Sequence, residues 1–111
     1  MKIVEISERL AVAGQPSLVD FKSLAARGFK AIVNDRPDGE EPGQPDSAAE
    51  RQAATEAGLA YSFVPVTGTT ITRADVEAFQ AALAAAPGPV LAHCKGGTRS
   101  LTLYALGKVL G

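Results

Sequence analysis

The chain has no tryptophan, and its 111 residues include one cysteine, one histidine and one methionine. A lone Cys94 excludes an internal disulfide, and Cys94 with the single histidine, His93, is too small a ligand set for a zinc site. Neither a metal nor a cofactor is expected. Aromatic side chains are also scarce, with four Phe and two Tyr, and 11 basic residues are balanced by 12 acidic ones for a net charge of −1. That leaves neither the cationic stripe nor the stacking platform that nucleic acid requires. The opening stretch MKIVEISERL lacks the apolar core and small-residue cleavage site of a secretory signal, so a cytoplasmic protein with no membrane partner is expected. What remains is a composition that is 46% hydrophobic and 21% charged, which suits a single globular domain over residues 1–111 with enough apolar surface to fold without metal or disulfide staples.

Short apolar runs alternate with amphipathic stretches, the pattern of an α/β domain. Lys2 to Ile6 and Leu10 to Ala13 read as a small strand pair. Ser17 is placed to cap a helix over Leu18 to Arg27, with Gly28 as its left-handed exit, and Phe29 to Asn34 reads as a buried strand. Asp35 to Pro45 carries three prolines and two glycines and continues neither element, so it is a long loop. Asp46 or Ser47 starts a helix running to Ala57, and Leu59 to Val66 reads as the next strand. Thr72 and Asp75 have capping-box spacing for a helix through Ala86, which Pro87-Gly88-Pro89 stops. The last strand is Pro89 to His93, and the last helix Ser100 to Leu110.

Chemistry concentrates in His93-Cys94-Lys95-Gly96-Gly97-Thr98-Arg99-Ser100, between a buried strand and a helix. Backbone amides there can curl around an anion at a helix N-terminus, the glycines let them turn inward, and Arg99 can bring a bidentate fork to the same anion. The helix dipole, the amides and the guanidinium each favour thiolate over thiol at Cys94. Ser100 is placed to hydrogen-bond that sulfur, and His93 to orient the loop from behind. A lone cysteine at a strand end is ordinarily a small buried hydrophobe; glycines, arginine and serine at this fixed spacing argue for a nucleophile instead.

HCKGGTRS, together with NDRPDGEEPGQP and VPVTG upstream, resembles the small bacterial phosphatase-like domains associated with β-lactamase hydrolase-like proteins and sulfide-oxidising enzymes. The resemblance implies the fold of the cysteine-dependent tyrosine and dual-specificity phosphatases: a three-layer α/β domain with a central, mostly parallel sheet flanked by helices. It implies either phosphate-ester hydrolysis or sulfane-sulfur transfer. Such phosphatases place one residue more between nucleophile and arginine than the four that separate Cys94 from Arg99. The spacing Cys94, Gly97, Arg99, Ser100 is similar to the loop of single-domain rhodaneses, and a smaller ring suits a terminal sulfur better than a phosphoryl group.

Phosphate-ester cleavage also needs a proton donor for the leaving oxygen. Thr67-Gly68-Thr69-Thr70, where similar phosphatases carry an aspartate, has no carboxylate, which leaves Asp38, or Glu40 or Glu41, from the other long loop; a hydrated Pro-Asp-Gly turn is the plainer reading of Asp38. The first expectation is therefore a sulfurtransferase that takes sulfur from thiosulfate or a persulfide onto Cys94, cradles it with Lys95, Gly96, Gly97, Thr98, Arg99 and Ser100, and passes it to an external thiol such as glutathione, with a sulfide-oxidising enzyme as a partner. A phosphatase forming a Cys94 phosphoenzyme with Asp38 as acid is the second. A catalytically silent anion-binding module is the third.

Overall fold

A computed structural model describes residues 1–111. Five strands form one sheet in the order β1-β2-β5-β3-β4, where β1 is Ile3–Glu5, β2 Leu10–Ala13, β3 Ala31–Asn34, β4 Ala60–Phe63 and β5 Val90–His93. Only the β1–β2 pairing is antiparallel; β2–β5, β5–β3 and β3–β4 are parallel. The central strands β2, β3 and β5 are buried at every position, as expected of parallel strands covered on both faces.

Side chains alternate across the sheet, and the two sets feed two cores. Ala11, Ala13, Ile32 and Leu91 meet Phe21 and Leu24 of α1 (Asp20–Ala26) and Ala54 of α2 (Ser47–Glu56). Leu10, Val12, Val33, Val90 and Ala92 meet Val76 and Phe79 of α3 (Arg73–Ala85) and Leu103 of α4 (Thr98–Leu110). Phe79 is wholly enclosed, and burying a side chain of that size contributes about 2–3 kcal/mol. The result is the three-layer α/β architecture with a mostly parallel sheet expected above.

Local chemistry explains where the elements begin. The capping box is present in full: Asp75 N–H donates to Thr72 Oγ1 at 3.2 Å and Thr72 N–H to Asp75 Oδ2 at 2.9 Å. Asp46, not Ser47, caps α2, accepting from Ala49 N–H at 2.8 Å. Several boundaries differ from the sequence reading, β3 for one starting at Ala31 rather than Phe29, and three have a clear local cause. Ser17 does not cap α1; its own N–H donates to Asp20 Oδ2 at 2.8 Å, and residues 17–20 form a tight turn that delays the helix to Asp20. β4 stops at Phe63, because Val64 donates to the carbonyl of Asn34, the last residue of β3, Val66 to that of Asp35 beyond it, and Pro65 between them has no N–H to give. α4 starts at Thr98, two residues before Ser100, because Gly97 adopts a left-handed φ of +97° and caps the helix directly after the loop.

Candidate active site

Cys94 leaves the carboxyl end of β5, the middle strand of the sheet, and the loop it begins is flanked by the segments leaving β2 and β3. Sites in parallel sheets form at this end because the loops there converge. On one side, Gly14 lies so close beneath the loop that a Cβ on it would sit 2.9 Å from the carbonyl oxygen of Lys95. That carbonyl accepts from Gln15 N–H at 3.1 Å, and Cys94 N–H donates to Ala13 O at 3.4 Å. Backbone contacts alone thus fix the loop against β2.

The sulfur is buried, and Gly97 N–H donates to Sγ at 3.0 Å. The amides of Lys95, Gly96, Thr98, Arg99 and Ser100 donate to no acceptor in the chain, so the loop and the first turn of α4 hold a set of unspent donors beside the cysteine. That is the electrostatic setting of an anion site at a helix N-terminus. Lys95 is exposed at the rim, 3.6 Å from Glu41.

Behind the loop, His93 is fully enclosed between two partners. On one side its Nδ1 lies 3.3 Å from the Cys94 carbonyl. Nε2 lies 2.8 Å from Glu50 Oε1, and Glu50, also fully buried, accepts from Gln15 Nε2 at 2.8 Å and from the Tyr61 hydroxyl at 3.4 Å. Gln15 in turn accepts from Arg36 Nη1 at 3.2 Å. A side-chain network thus runs from Arg36 on the β3–α2 loop, through Gln15 and Glu50, to the histidine that opens the Cys94 loop.

The acidic loop after β3 does not do what the sequence suggested. Asp38 is exposed, and both of its oxygens accept from Ser47, from N–H at 2.8 Å and from Oγ at 2.9 Å, so it ties the loop to the start of α2 and is not a free acid. Glu40 instead grips Arg99 in a two-pronged pair at 2.7 and 2.9 Å, and its Oε1 also accepts from Arg36 Nε at 2.9 Å. The hydrogen bonds from Arg99, and secondarily those from Arg36, hold the Glu40 carboxyl at about 2, which keeps it ionised and unable to give a proton. Glu41 pairs with Arg36 Nη2 at 2.9 Å. Arg99 spends a further N–H on the Val66 carbonyl at 3.0 Å, and the Glu40 hydrogen bonds raise its own pKa.

Ser100 is a second correction. Its hydroxyl donates to Asp35 Oδ2 at 2.7 Å, where a bond to the cysteine sulfur was expected. The hydroxyl is spent on the carboxyl of the residue that follows β3. Burial pushes the Asp35 carboxyl up to about 8, against the opposing pull of the Ser100 hydroxyl and the Arg99 charge, and its Oδ1 has no partner. Asp35, Arg36 and Glu50 went unnoticed in the sequence. A usable signal existed for Arg36 alone, an arginine among four acidic residues in a loop that leaves a buried strand.

Comparison with known proteins agrees with this geometry. The model for the phosphatase-like domain of β-lactamase hydrolase-like proteins matches residues 2–111. A β-lactamase hydrolase-like protein of Agrobacterium fabrum is 63% identical over 110 residues, covering 99% of this chain and 26% of that protein. One from Xylella fastidiosa is 60% identical with the same coverage, so the chain spans about a quarter of these relatives' length. Among solved structures, a candidate phosphatase from Neisseria meningitidis superposes with a TM-score of 0.90 at 37% identity, covering 97% of this chain and 77% of that one. Another from Shewanella putrefaciens gives 0.82 at 28% identity, covering 96% and 66%. TpbA of Pseudomonas aeruginosa, solved with phosphotyrosine, shares the fold at a TM-score of 0.73 and 22% identity, covering 96% and 62%. Of the expected reactions these likenesses favour phosphate-ester hydrolysis, and none carries sulfur transfer. With its cysteine loop in place and its whole length matched, the chain belongs to the family of phosphatase-like domains of β-lactamase hydrolase-like proteins.

Proposed function

We propose that this cysteine-based, phosphatase-like domain works as a sulfurtransferase. One observation carries the reading: no carboxyl group around the Cys94 loop offers a proton at its mouth. Asp38 is held by Ser47, Glu40 by Arg99 and Glu41 by Arg36, and Asp35, which keeps its proton up to about 8 and has Oδ1 unpartnered, is wholly enclosed away from solvent. A group displaced by Cys94 therefore has to depart without a proton, which a thiolate does near neutral pH and an alcohol does not.

In the first step the Cys94 thiolate attacks the outer sulfur of a persulfide, R–S–SH. A new S–S bond forms to Cys94, the old one breaks, and RS⁻ leaves. In the second step an external thiolate such as that of glutathione attacks the same outer sulfur, and Cys94 departs as thiolate. Nothing is oxidised or reduced overall. The second thiol comes from outside because the 111 residues hold no other cysteine. Unspent amides of the loop and the guanidinium of Arg99 stabilise the charge on the bound sulfur. A reducing, cytoplasmic thiol pool and a sulfide-oxidising partner enzyme fit this chemistry.

Phosphate-ester hydrolysis is the second reading, and the relatives favour it: the family is phosphatase-like, and the Neisseria and Shewanella structures were determined as candidate phosphatases. With no proton donor at the mouth it suits an aryl phosphate, whose leaving oxygen is a weak base. Parallel assays at equal protein concentration separate the readings. Sulfur transfer requires that glutathione persulfide add one sulfur atom to Cys94 by intact mass and that glutathione remove it. Steady aryl phosphate turnover lost in Cys94→Ser, with no sulfur adduct, would replace this reading with the phosphatase. Anion binding that survives Cys94→Ser without turnover of either substrate would identify a binding module.

A further inference from the structure

We propose that Glu40 is a specificity-determining residue, an internal carboxylate that holds one edge of Arg99, offsets its charge and so steers the site away from tetrahedral dianions toward organic persulfides. The donor preference rests on the sulfur-transfer reading above; the exclusion of oxyanions rests on the geometry alone.

Arginine binds a carboxylate and a tetrahedral oxyanion through the same pair of parallel N–H groups. In this chain the end-on pair is taken: Arg99 Nη1 and Nη2 donate to Glu40 Oε2 and Oε1 at 2.7 and 2.9 Å, and Nη1 also donates to the Val66 carbonyl, so only the side-on edge, Nε with the second N–H of Nη2, is left, and Glu40 offsets the charge behind it. The side chains of Arg99 and Glu40 are 14% and 27% exposed, and Glu40 as a residue lies at the surface, so the pair is partly open to solvent and owes its place to its bonds rather than to burial. Glu40 is itself anchored by Arg36, which is buried and held from its other end by Glu41 and Gln15. Moving Glu40 aside would leave Arg36 short of an acceptor, so the carboxylate is built in as part of the site.

The two classes of donor meet this arrangement differently. Phosphate, sulfate and thiosulfate present several charged oxygens around one centre, depend on the arginine's positive charge, which Glu40 offsets, and bring two negative charges up to the Glu40 and Glu41 carboxylates. A persulfide presents one outer sulfur with at most one charge, which the loop amides beside Sγ can receive while Glu40 stays on Arg99. Repulsion by a fixed carboxylate thereby sorts substrates of similar size, a case of selection against the wrong ligand.

Calorimetric titration of inorganic sulfate into the wild-type chain, Glu40→Gln, Glu40→Ala and Glu41→Gln tests the exclusion, and melting curves check that each variant is folded. Glutamine keeps one acceptor for the arginines while removing the charge. We expect sulfate to bind both Glu40 variants roughly tenfold or more tighter than wild type, and Glu41→Gln, which loses the same charge farther from the fork, to gain less than a third of that. The preference for glutathione persulfide over thiosulfate in loading Cys94 should fall by a similar factor in Glu40→Gln. Unchanged or weaker sulfate binding in both Glu40 variants, or an equal gain in Glu41→Gln, overturns the proposal. If neither donor loads any form of the chain while the sulfate result stands, the sulfur-transfer reading fails and Glu40 remains an oxyanion filter.

Discussion

Two loops meet at the carboxyl end of the sheet, and they are held in opposite ways. The loop from Cys94 to Gly97 is fixed by main-chain contacts: Gln15 N–H to the Lys95 carbonyl, Cys94 N–H to Ala13, Gly97 N–H to the sulfur, and a close approach over Gly14. The loop from Asp35 to Asp46 is fixed by side-chain charges: Arg36 between Glu40 and Glu41, Glu40 on Arg99, Asp38 on Ser47. Backbone contacts depend on shape and tolerate many side chains, whereas ion pairs depend on identity and state of charge. The first loop therefore gathers unspent amide donors as a consequence of fold. The second, on the proposal above, decides which anions can use them.

The comparison breaks most severely where the two supports join. Glu50→Ala removes the acceptor for His93 and Gln15 in a site closed to water, and leaving such buried polar groups without a partner costs about 3–5 kcal/mol. Urea unfolding should show that loss, whereas Glu50→Gln, which keeps an acceptor, should recover part of it.

Asp35 gives the next effect, and its sign follows from the direction of its shift. The folded carboxyl titrates near 8, above the ordinary 3.8, so between those values the folded state holds a proton that the unfolded chain has released. Stability is full below about pH 4, declines as pH rises through that window, and levels off above 8, a loss on the order of a few kcal/mol. Asp35→Asn, which cannot ionise, should flatten the decline in melting curves taken from pH 5 to 9. An unaltered slope would place the titration elsewhere.

Gly14→Ala tests the backbone-held loop alone. Its Cβ would meet the Lys95 carbonyl at 2.9 Å, so the loop has to shift, at a cost of about 1–3 kcal/mol, and sulfur loading of Cys94 should slow even where the protein remains folded. Asp38→Asn is the mildest change. An exposed capping interaction is worth about 0.5–1 kcal/mol, so a slightly lower melting temperature with unchanged turnover is expected; a large drop in turnover would restore Asp38 as an acid.

The contrast between the loops also marks what could be read beforehand. Cys94, Gly97, Arg99 and His93 were legible because strand, glycines and helix start are local signals, and local backbone geometry already aims the amides. The partners of Arg99 and Ser100 were not. Glu40 lies 59 residues from Arg99 in sequence and Asp35 lies 65 from Ser100, and both carboxylates are brought in by strand order. Asp38 was a candidate acid because its loop leaves the carboxyl end of a strand, against the plainer reading of a Pro-Asp-Gly turn; the structure spends it on the nearer N-terminus of α2.

The amino-acid order alone determined the alternation of strands and helices, the capping box at Thr72, and a cysteine at a helix start with glycines around it. Each of these is decided within a few residues by hydrophobic period, capping hydrogen bonds and the freedom of glycine. Tertiary structure alone decided which carboxylate faces which arginine. Parallel pairing of β5 between β2 and β3 sets side by side three chain segments that sequence distance keeps apart, and at that junction burial and charge, rather than spacing, assign every proton.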